Sequence, residues 1–228
     1  MLAWWMLAML AYPEAQARAH AELDAVVGRS RLPTFADLPH LPYIRAIVKE
    51  TLRWRPISPS SPPHQTTEDD WYEGAFIPKG TICIANLWHI NRDPEIFGKN
   101  PEHFDPTRYL DASGNIKSGM PKIKERGHFT YGFGRRICVG RYMADNALFI
   151  NIAVLLWAAK IGRKKDASGN FVPLDLDGWM DVGLVVLVVS ITYRHEHANL
   201  CGLQTPGPVR DRNSSTIPGG SCHACTGT

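Results

Sequence analysis

The stretch Tyr131-Gly132-Phe133-Gly134-Arg135-Arg136-Ile137-Cys138-Val139-Gly140 puts one cysteine, three glycines and two arginines immediately ahead of a long apolar run. Glycine permits positive φ and close backbone approach, which a loop needs in order to lie against a large flat ligand. A sulfur just before a helix N-terminus sits at the positive end of the dipole, and Arg135 and Arg136 add charge of the same sign. Such a sulfur suits a nucleophile, a metal ligand or a merely buried thiol. The nearest histidine in sequence, His128, forms no familiar nucleophile–base signature with it, so the residues alone leave these options open.

Other chemistry-bearing groups are weaker. Glu50 and Arg53 are three apart and share one helix face, where they can pair. Taken alone they would be a solvated pair contributing little. Cys222-His223-Ala224-Cys225 has the spacing of half a zinc site or a redox pair, but no second pair completes it, and a stray pair in a polar tail is the expectation. Cys83 lies in the apolar run Thr81-Ile82-Cys83-Ile84 and is expected to be an inert core thiol. Five scattered cysteines in 228 residues do not make a disulfide framework and suit a reducing compartment. Composition is globular, 44% hydrophobic and 21% charged, and a net charge of +3 implies no nucleic-acid partner.

The elements that must position the cysteine follow from periodicity. Residues 1–11 are apolar throughout but well short of the ~20 residues a spanning helix needs, and they lack the basic start of a signal peptide. A buried helix end is expected there. Pro13 and Glu14 start a second helix and Gly28 stops it. Ile44, Ile47, Val48 and Leu52 form the stripe of a helix over 43–54, ended by Pro56. Serines and prolines forbid regular structure over 57–63. Two strands are expected, over 71–77 and 81–85, joined by a turn at Pro78-Lys79-Gly80. Residues 94–134 read as a functional loop with a turn or two. The apolar run 139–161 reads as one buried helix ended by Gly162 and Arg163-Lys164-Lys165. Asp-Ala-Ser-Gly-Asn occurs at 111–115 and again at 166–170, one turn solution used twice. Residues 205–228, dense in Pro, Gly, Ser and Thr, are expected to be disordered.

Three of these segments, in this order, resemble the cytochrome P450 superfamily. Glu50-Thr51-Leu52-Arg53 fits its E-x-x-R helix. Pro101-Glu102-His103-Phe104-Asp105-Pro106-Thr107-Arg108-Tyr109 is similar to its P-x-x-F-x-P-x-R-F segment. Gly134, Arg136, Cys138 and Gly140 match its haem signature F-x-x-G-x-R-x-C-x-G. Tyr109 and Tyr131 stand where the family usually has phenylalanine. Pro63-His64, Phe76-Ile77-Pro78-Lys79-Gly80-Thr81 and Asn91-Arg92-Asp93-Pro94 resemble further family segments, so the likeness spans about residues 7–186.

The resemblance implies a mainly α fold with small β-sheets (α+β): the C-terminal haem-binding part of a P450 domain over 1–192, truncated at the N-terminus, followed by an atypical tail over 193–228. It implies haem b as cofactor and Cys138 as the iron ligand. Arg136 and His64 would hold propionates, Tyr131, Gly134 and Gly140 would shape the loop, and Glu50, Arg53 and Arg108 would form a network that locks it. The implied activity is a microsomal-type monooxygenase, with a fungal member as one option, acting on a small lipophilic molecule. Its electrons would come from a flavoprotein NADPH-dependent reductase docked near Lys122, Lys124, Arg126, Arg135 and Arg141. The whole protein would be anchored on the cytoplasmic face of the endoplasmic reticulum. The oxygen-activating helix of the family should lie upstream of Met1, so this chain alone is expected to be inactive. A haem-binding fragment or pseudo-enzyme without catalysis, and a haem-thiolate isomerase, are the rivals.

Overall fold

The structure, a computed structural model, describes residues 1–117, 127–177, 179–181, 186–188 and 193–197, the last three segments as backbone. The chain divides into two units, Met1–Ala198 and Asn199–Thr228. The second unit, with the expected disordered tail and Cys201, Cys222 and Cys225, lies outside the described residues.

Helix α1 (Leu2–Ala11) is apolar on every face and buries Trp4, Trp5, Leu7, Ala8, Met9 and Leu10. Among the described residues no helix is long and apolar enough to cross a membrane. Helix α2 (Pro13–Val26) starts on Pro13, whose missing N–H costs nothing in a first turn. It closes at Gly28, where φ of +69° lets the Gly28 N–H return to the Leu23 carbonyl at 3.1 Å.

Helix α3 (Pro42–Trp54) carries Glu50 and Arg53. Leu41 at its N-cap has no oxygen to offer, so the Glu22 carboxylate of α2 accepts instead from the Tyr43 N–H at 2.8 Å and the Ile44 N–H at 3.0 Å. Burial pushes the Glu22 carboxyl up in pKa, against the pull of these two amides. The stripe Ile44, Ile47, Val48 and Leu52 joins Trp5, Leu23, Phe104, Phe149, Ile152 and Leu156 in one core between α1, α2, α3 and α6 (Arg141–Ala158).

Among the described residues between α3 and α6 lie only short elements: β1 (His64–Gln65), β2 (Asp70–Tyr72), β3 (Ala75–Ile77), β4 (Ile82–Cys83), α4 (Leu87–Ile90) and α5 (Pro94–Phe97), with 3-10 turns at Pro106–Tyr109 and Gly134–Arg136. The two expected strands are rearranged. Residues 71–77 are a hairpin, β2 against β3, that turns at Glu73 and Gly74, both with positive φ. The turn at 78–81 leads instead into β4, which pairs antiparallel with β1 and sets Cys83 opposite His64. Cys83 is therefore an exposed thiol and not a core one, because β4 pairs only with β1 among the described residues and leaves Ile82 and Ile84 exposed too.

The last helix also ends early. Ala159 is extended (φ −152°, ψ 153°) and begins β5 (Ala159–Arg163), where Ala159 and Ile161 are buried and Lys160 is exposed. That alternation has the period of a strand. The buried Gln16 amide of α2 holds Ile161 on both sides, donating to its carbonyl at 2.8 Å and accepting from its N–H at 2.6 Å. Strand β8 (Tyr193–His197) pairs antiparallel with β5, while β6 (Trp179–Asp181) pairs with β7 (Val186–Val188). The repeated pentapeptide does form one turn twice. Asp111 Oδ1 accepts from the Ser113 and Asn115 amides, Asp166 Oδ1 from the Ser168 and Asn170 amides, and Gly114 and Gly169 have positive φ.

Candidate haem-thiolate site

Cys138 sits in a loop knit to itself by its backbone. Gly132 and Gly134 occupy the left-handed region (φ +74° and +68°), where a side chain would be strained. The Gly132 N–H donates to the Phe129 carbonyl at 2.7 Å and the Cys138 N–H to the Tyr131 carbonyl at 2.9 Å. Arg141, the first residue of α6, donates to the Cys138 carbonyl at 3.0 Å. The tyrosine that replaces the family's phenylalanine is put to use, since Tyr131 Oη donates to Asp145 Oδ1 on α6 at 2.7 Å.

The thiol itself is free and exposed, at a surface where Phe133, Val139, Tyr142 and Met143 are also exposed. Val139 is 92% accessible. No group of three or more His, Cys, Asp or Glu side chains among the described residues could hold a metal ion. His128 is buried, packs on Tyr131 and accepts from the Thr130 N–H. One exposed sulfur amid apolar side chains fits a flat apolar ligand whose metal takes its other donors from the ligand. Haem has that donor set, and the loop fits it.

The structure brings Tyr131, Gly134, Arg136, Cys138 and Gly140 together, with Arg135 and Arg136 exposed on the 3-10 turn. Gly140 is the N-cap of α6, and a Cβ there would stand 3.9 Å from Cys138 Sγ, in ordinary contact. His64 is exposed on β1, and no hydrogen bond joins it to the loop among the described residues. Of the five basic residues expected to meet a reductase, Lys122, Lys124 and Arg126 lie outside the described residues, while Arg141 is half-buried over the Tyr142 ring.

Behind the loop lies a fully buried ion pair. Arg53 Nε and Nη2 meet the two oxygens of Glu50 at 2.7 Å each, and both side chains have no accessible surface. Arg108 Nε reaches Glu50 Oε1 at 3.2 Å, and the Asp105 N–H donates to the same oxygen at 2.8 Å. Further guanidinium protons go to carbonyls: Arg53 to Asn91 and His103, Arg108 to Phe97, Asn100 and His103. Burial alone would push the Arg53 pKa down, but the Glu50 charge and hydrogen bonds outweigh it, so it stands raised. Tyr109, also buried, donates to the Gly127 carbonyl at 3.0 Å, and burial next to Glu50 holds its phenol protonated. The network therefore reaches the start of the cysteine loop.

Sequence reasoning missed Asn91 and Arg92 as individuals. Arg92 is buried, donates to Glu102 at 2.7 Å and to the Trp54 carbonyl at the end of α3, and burial pushes its pKa down to about 10. Asn91 has no accessible surface, and its side chain joins Phe129 and Thr130 of the cysteine loop. Their sequence signal is the segment Asn91-Arg92-Asp93-Pro94, whose likeness to the family gives neither residue a role.

A family model for cytochrome P450 matches residues 1–158. A cytochrome P450 monooxygenase of Armillaria gallica is 59% identical over 201 residues, covering 86% of this chain and 39% of that protein. One from Postia placenta is 54% identical over 181 residues, covering 79% of this chain and 34% of the relative. The chain thus spans about two fifths of the length of the first curated relatives it matches. A solved structure of a zebrafish cytochrome P450 with abiraterone superposes with a TM-score of 0.72 at 32% identity, over 87% of this chain and 44% of that one. With the cysteine loop, the buried Glu50–Arg53–Arg108 network and these relatives in agreement, the chain belongs to the cytochrome P450 family, whose members bind haem b.

Proposed function

We propose that this chain is the haem-thiolate portion of a monooxygenase and that Cys138 is its iron ligand. The observation that carries this is the free Cys138 thiol, exposed on a glycine-shaped loop at the start of α6 and backed by the buried ion-pair network. Haem b held by a thiolate receives electron density that favours O–O cleavage. Cys138 supplies that sulfur, and Arg136 and His64 would hold the propionates. Phe133, Val139 and Tyr142 offer apolar surface that would exclude water beside the sulfur. General acid–base groups act only when placed near the reacting oxygen, and this proposal assigns that task to none of the residues named here. The substrate class is a small lipophilic molecule, and membrane anchoring at the endoplasmic reticulum belongs to the same proposal.

The test compares the 228-residue chain with a completed protein, in which the N-terminal segment of the Armillaria relative precedes it. Both are loaded with haem and supplied with NADPH, a flavoprotein reductase and lipophilic substrates. The completed protein is expected to give a thiolate-type ferrous–carbonyl band and oxygen-dependent product, and the 228-residue chain none. Sustained turnover by the short chain would overturn the division of labour. A completed protein with the band but without product would make this a haem-binding chain without catalysis.

The proposed partner has its own test. Reversing two of the basic residues expected to meet the reductase, Lys122→Glu with Lys124→Glu, should slow reduction of the completed protein by about tenfold at low salt, with the difference shrinking as salt rises. An unchanged rate and salt dependence would remove these lysines from the reductase contact.

A further inference from the structure

We propose that Asn91 is a positioning residue for the Cys138 loop, acting as the joint between the buried ion pair and the peptide that carries the sulfur. This goes beyond the Glu50–Arg53–Arg108 network, and its importance for haem rests on the function proposed above.

Asn91 follows the four-residue helix α4, and no part of it meets solvent. All four of its polar groups are engaged. Its N–H donates to the Leu87 carbonyl at 3.0 Å, and its carbonyl accepts from Arg53 Nη1 at 2.8 Å. Its side-chain Oδ1 accepts from the Phe129 N–H at 2.9 Å, and Nδ2 donates to Thr130 Oγ1 at 3.2 Å. Thr130 Oγ1 in turn donates to the Leu52 carbonyl at 2.6 Å, one of the acceptors that the end of α3 leaves without a helical partner. The next residue, Tyr131, accepts the Cys138 N–H at 2.9 Å. A continuous path thus runs from Arg53 through Asn91 and Thr130 to the backbone of the cysteine.

The side-chain type is demanded by this position. The Phe129 N–H needs an acceptor and the Thr130 hydroxyl, already donating to Leu52, needs a donor, both from one buried side chain. A carboxamide supplies both without charge. A carboxylate would add a second buried negative charge near Glu50, and an apolar side chain would strand the Phe129 N–H in the interior. Tyr109 holds the approach to the loop at Gly127, whereas Asn91 holds residues 129–130, close to the sulfur.

The experiment is hydrogen–deuterium exchange on the completed, haem-loaded protein, comparing the parent with Asn91→Leu and with Thr130→Val. Asn91→Leu keeps the branched heavy-atom outline and removes both side-chain hydrogen bonds. Thr130→Val keeps Asn91 and removes its hydroxyl partner. Each removes two hydrogen bonds and is expected to accelerate exchange over residues 127–138 by at least about tenfold, the factor that a single lost buried hydrogen bond carries, with α1 and α2 unchanged. Each should also lose part of the thiolate-type carbonyl band at unchanged haem content, which simple loss of folded protein would not do. Unchanged exchange at 127–138, or equal acceleration throughout the chain, would overturn the proposal. If Asn91→Leu fails to fold, Thr130→Val decides alone by the same criteria. Should the parent itself lack the thiolate band, the haem-thiolate function fails, while the exchange pattern still decides the role of Asn91.

Discussion

Cys138→Ser is expected to remove the thiolate-type ferrous–carbonyl band of the completed protein entirely while leaving its fold intact. The sulfur, and not a thiol or alcohol in general, is the anionic ligand that marks this class of haem, and a serine hydroxyl stays protonated near neutral pH. The other described cysteine, Cys83, sits on β4 and takes no part in the loop, so it offers no replacement. The fold should not notice the change. Cys138 Sγ is exposed, and the loop is held by backbone contacts from Tyr131 and Arg141 that the serine keeps. In the haem-free protein a surface substitution of this kind shifts stability by about 0.5 kcal/mol or less. Reduced carbonyl spectra beside thermal melts of the same preparations make the measurement. Survival of the thiolate band in the variant would remove Cys138 as ligand.

Glu50→Leu should destabilise the protein by about 3–5 kcal/mol, the range for leaving one member of a buried ion pair unpaired. Arg53 has no accessible surface and cannot swing into water, so its guanidinium would remain charged in the core. Two further donors, the Asp105 N–H and Arg108 Nε, would lose the same oxygen. A domain's whole stability is about 5–15 kcal/mol, so most of this variant should be unfolded or empty of haem under mild denaturant. Glu102→Leu gives the contrast. That carboxylate also pairs with a buried arginine, Arg92, at 2.7 Å, but it is 69% exposed, and Arg92 keeps the carbonyls of Trp88 and Trp54. Its loss should fall well below that of Glu50→Leu, since a largely exposed carboxylate contributes little. Urea melts of the completed protein compare the two. Equal midpoints for Glu50→Leu and the parent would show that the network is not a structural lock.

Chain-local features were legible because their causes lie within a few residues. Pro13 and Gly28 bound α2 through fixed and left-handed backbone, and Asp111 and Asp166 close the same turn with their own side chains. The glycines around Cys138 declared a loop, and the three-residue spacing of Glu50 and Arg53 declared one helix face. The order of three motifs named the family.

What the sequence left open depended on partners far along the chain. A Glu and an Arg three apart read the same on a surface helix as in a core. The choice was made by Asn91, His103, Asp105 and Arg108, up to 58 residues away, which supply the hydrogen bonds that make burial tolerable. Cys83 looked like core because its neighbours are apolar, but exposure is decided by what packs over a strand, and β4 has only β1 beside it among the described residues. The apolar run after Cys138 read as a single helix through 161, since a buried strand and a buried helix look alike over so few residues. The Gln16 amide, 145 residues from Ile161, and the edge of β8 turned its end into a strand. Local sequence sets which backbone conformations are cheap. Only the tertiary structure decides which polar groups find partners away from water, and with them which residues hold the sulfur in place.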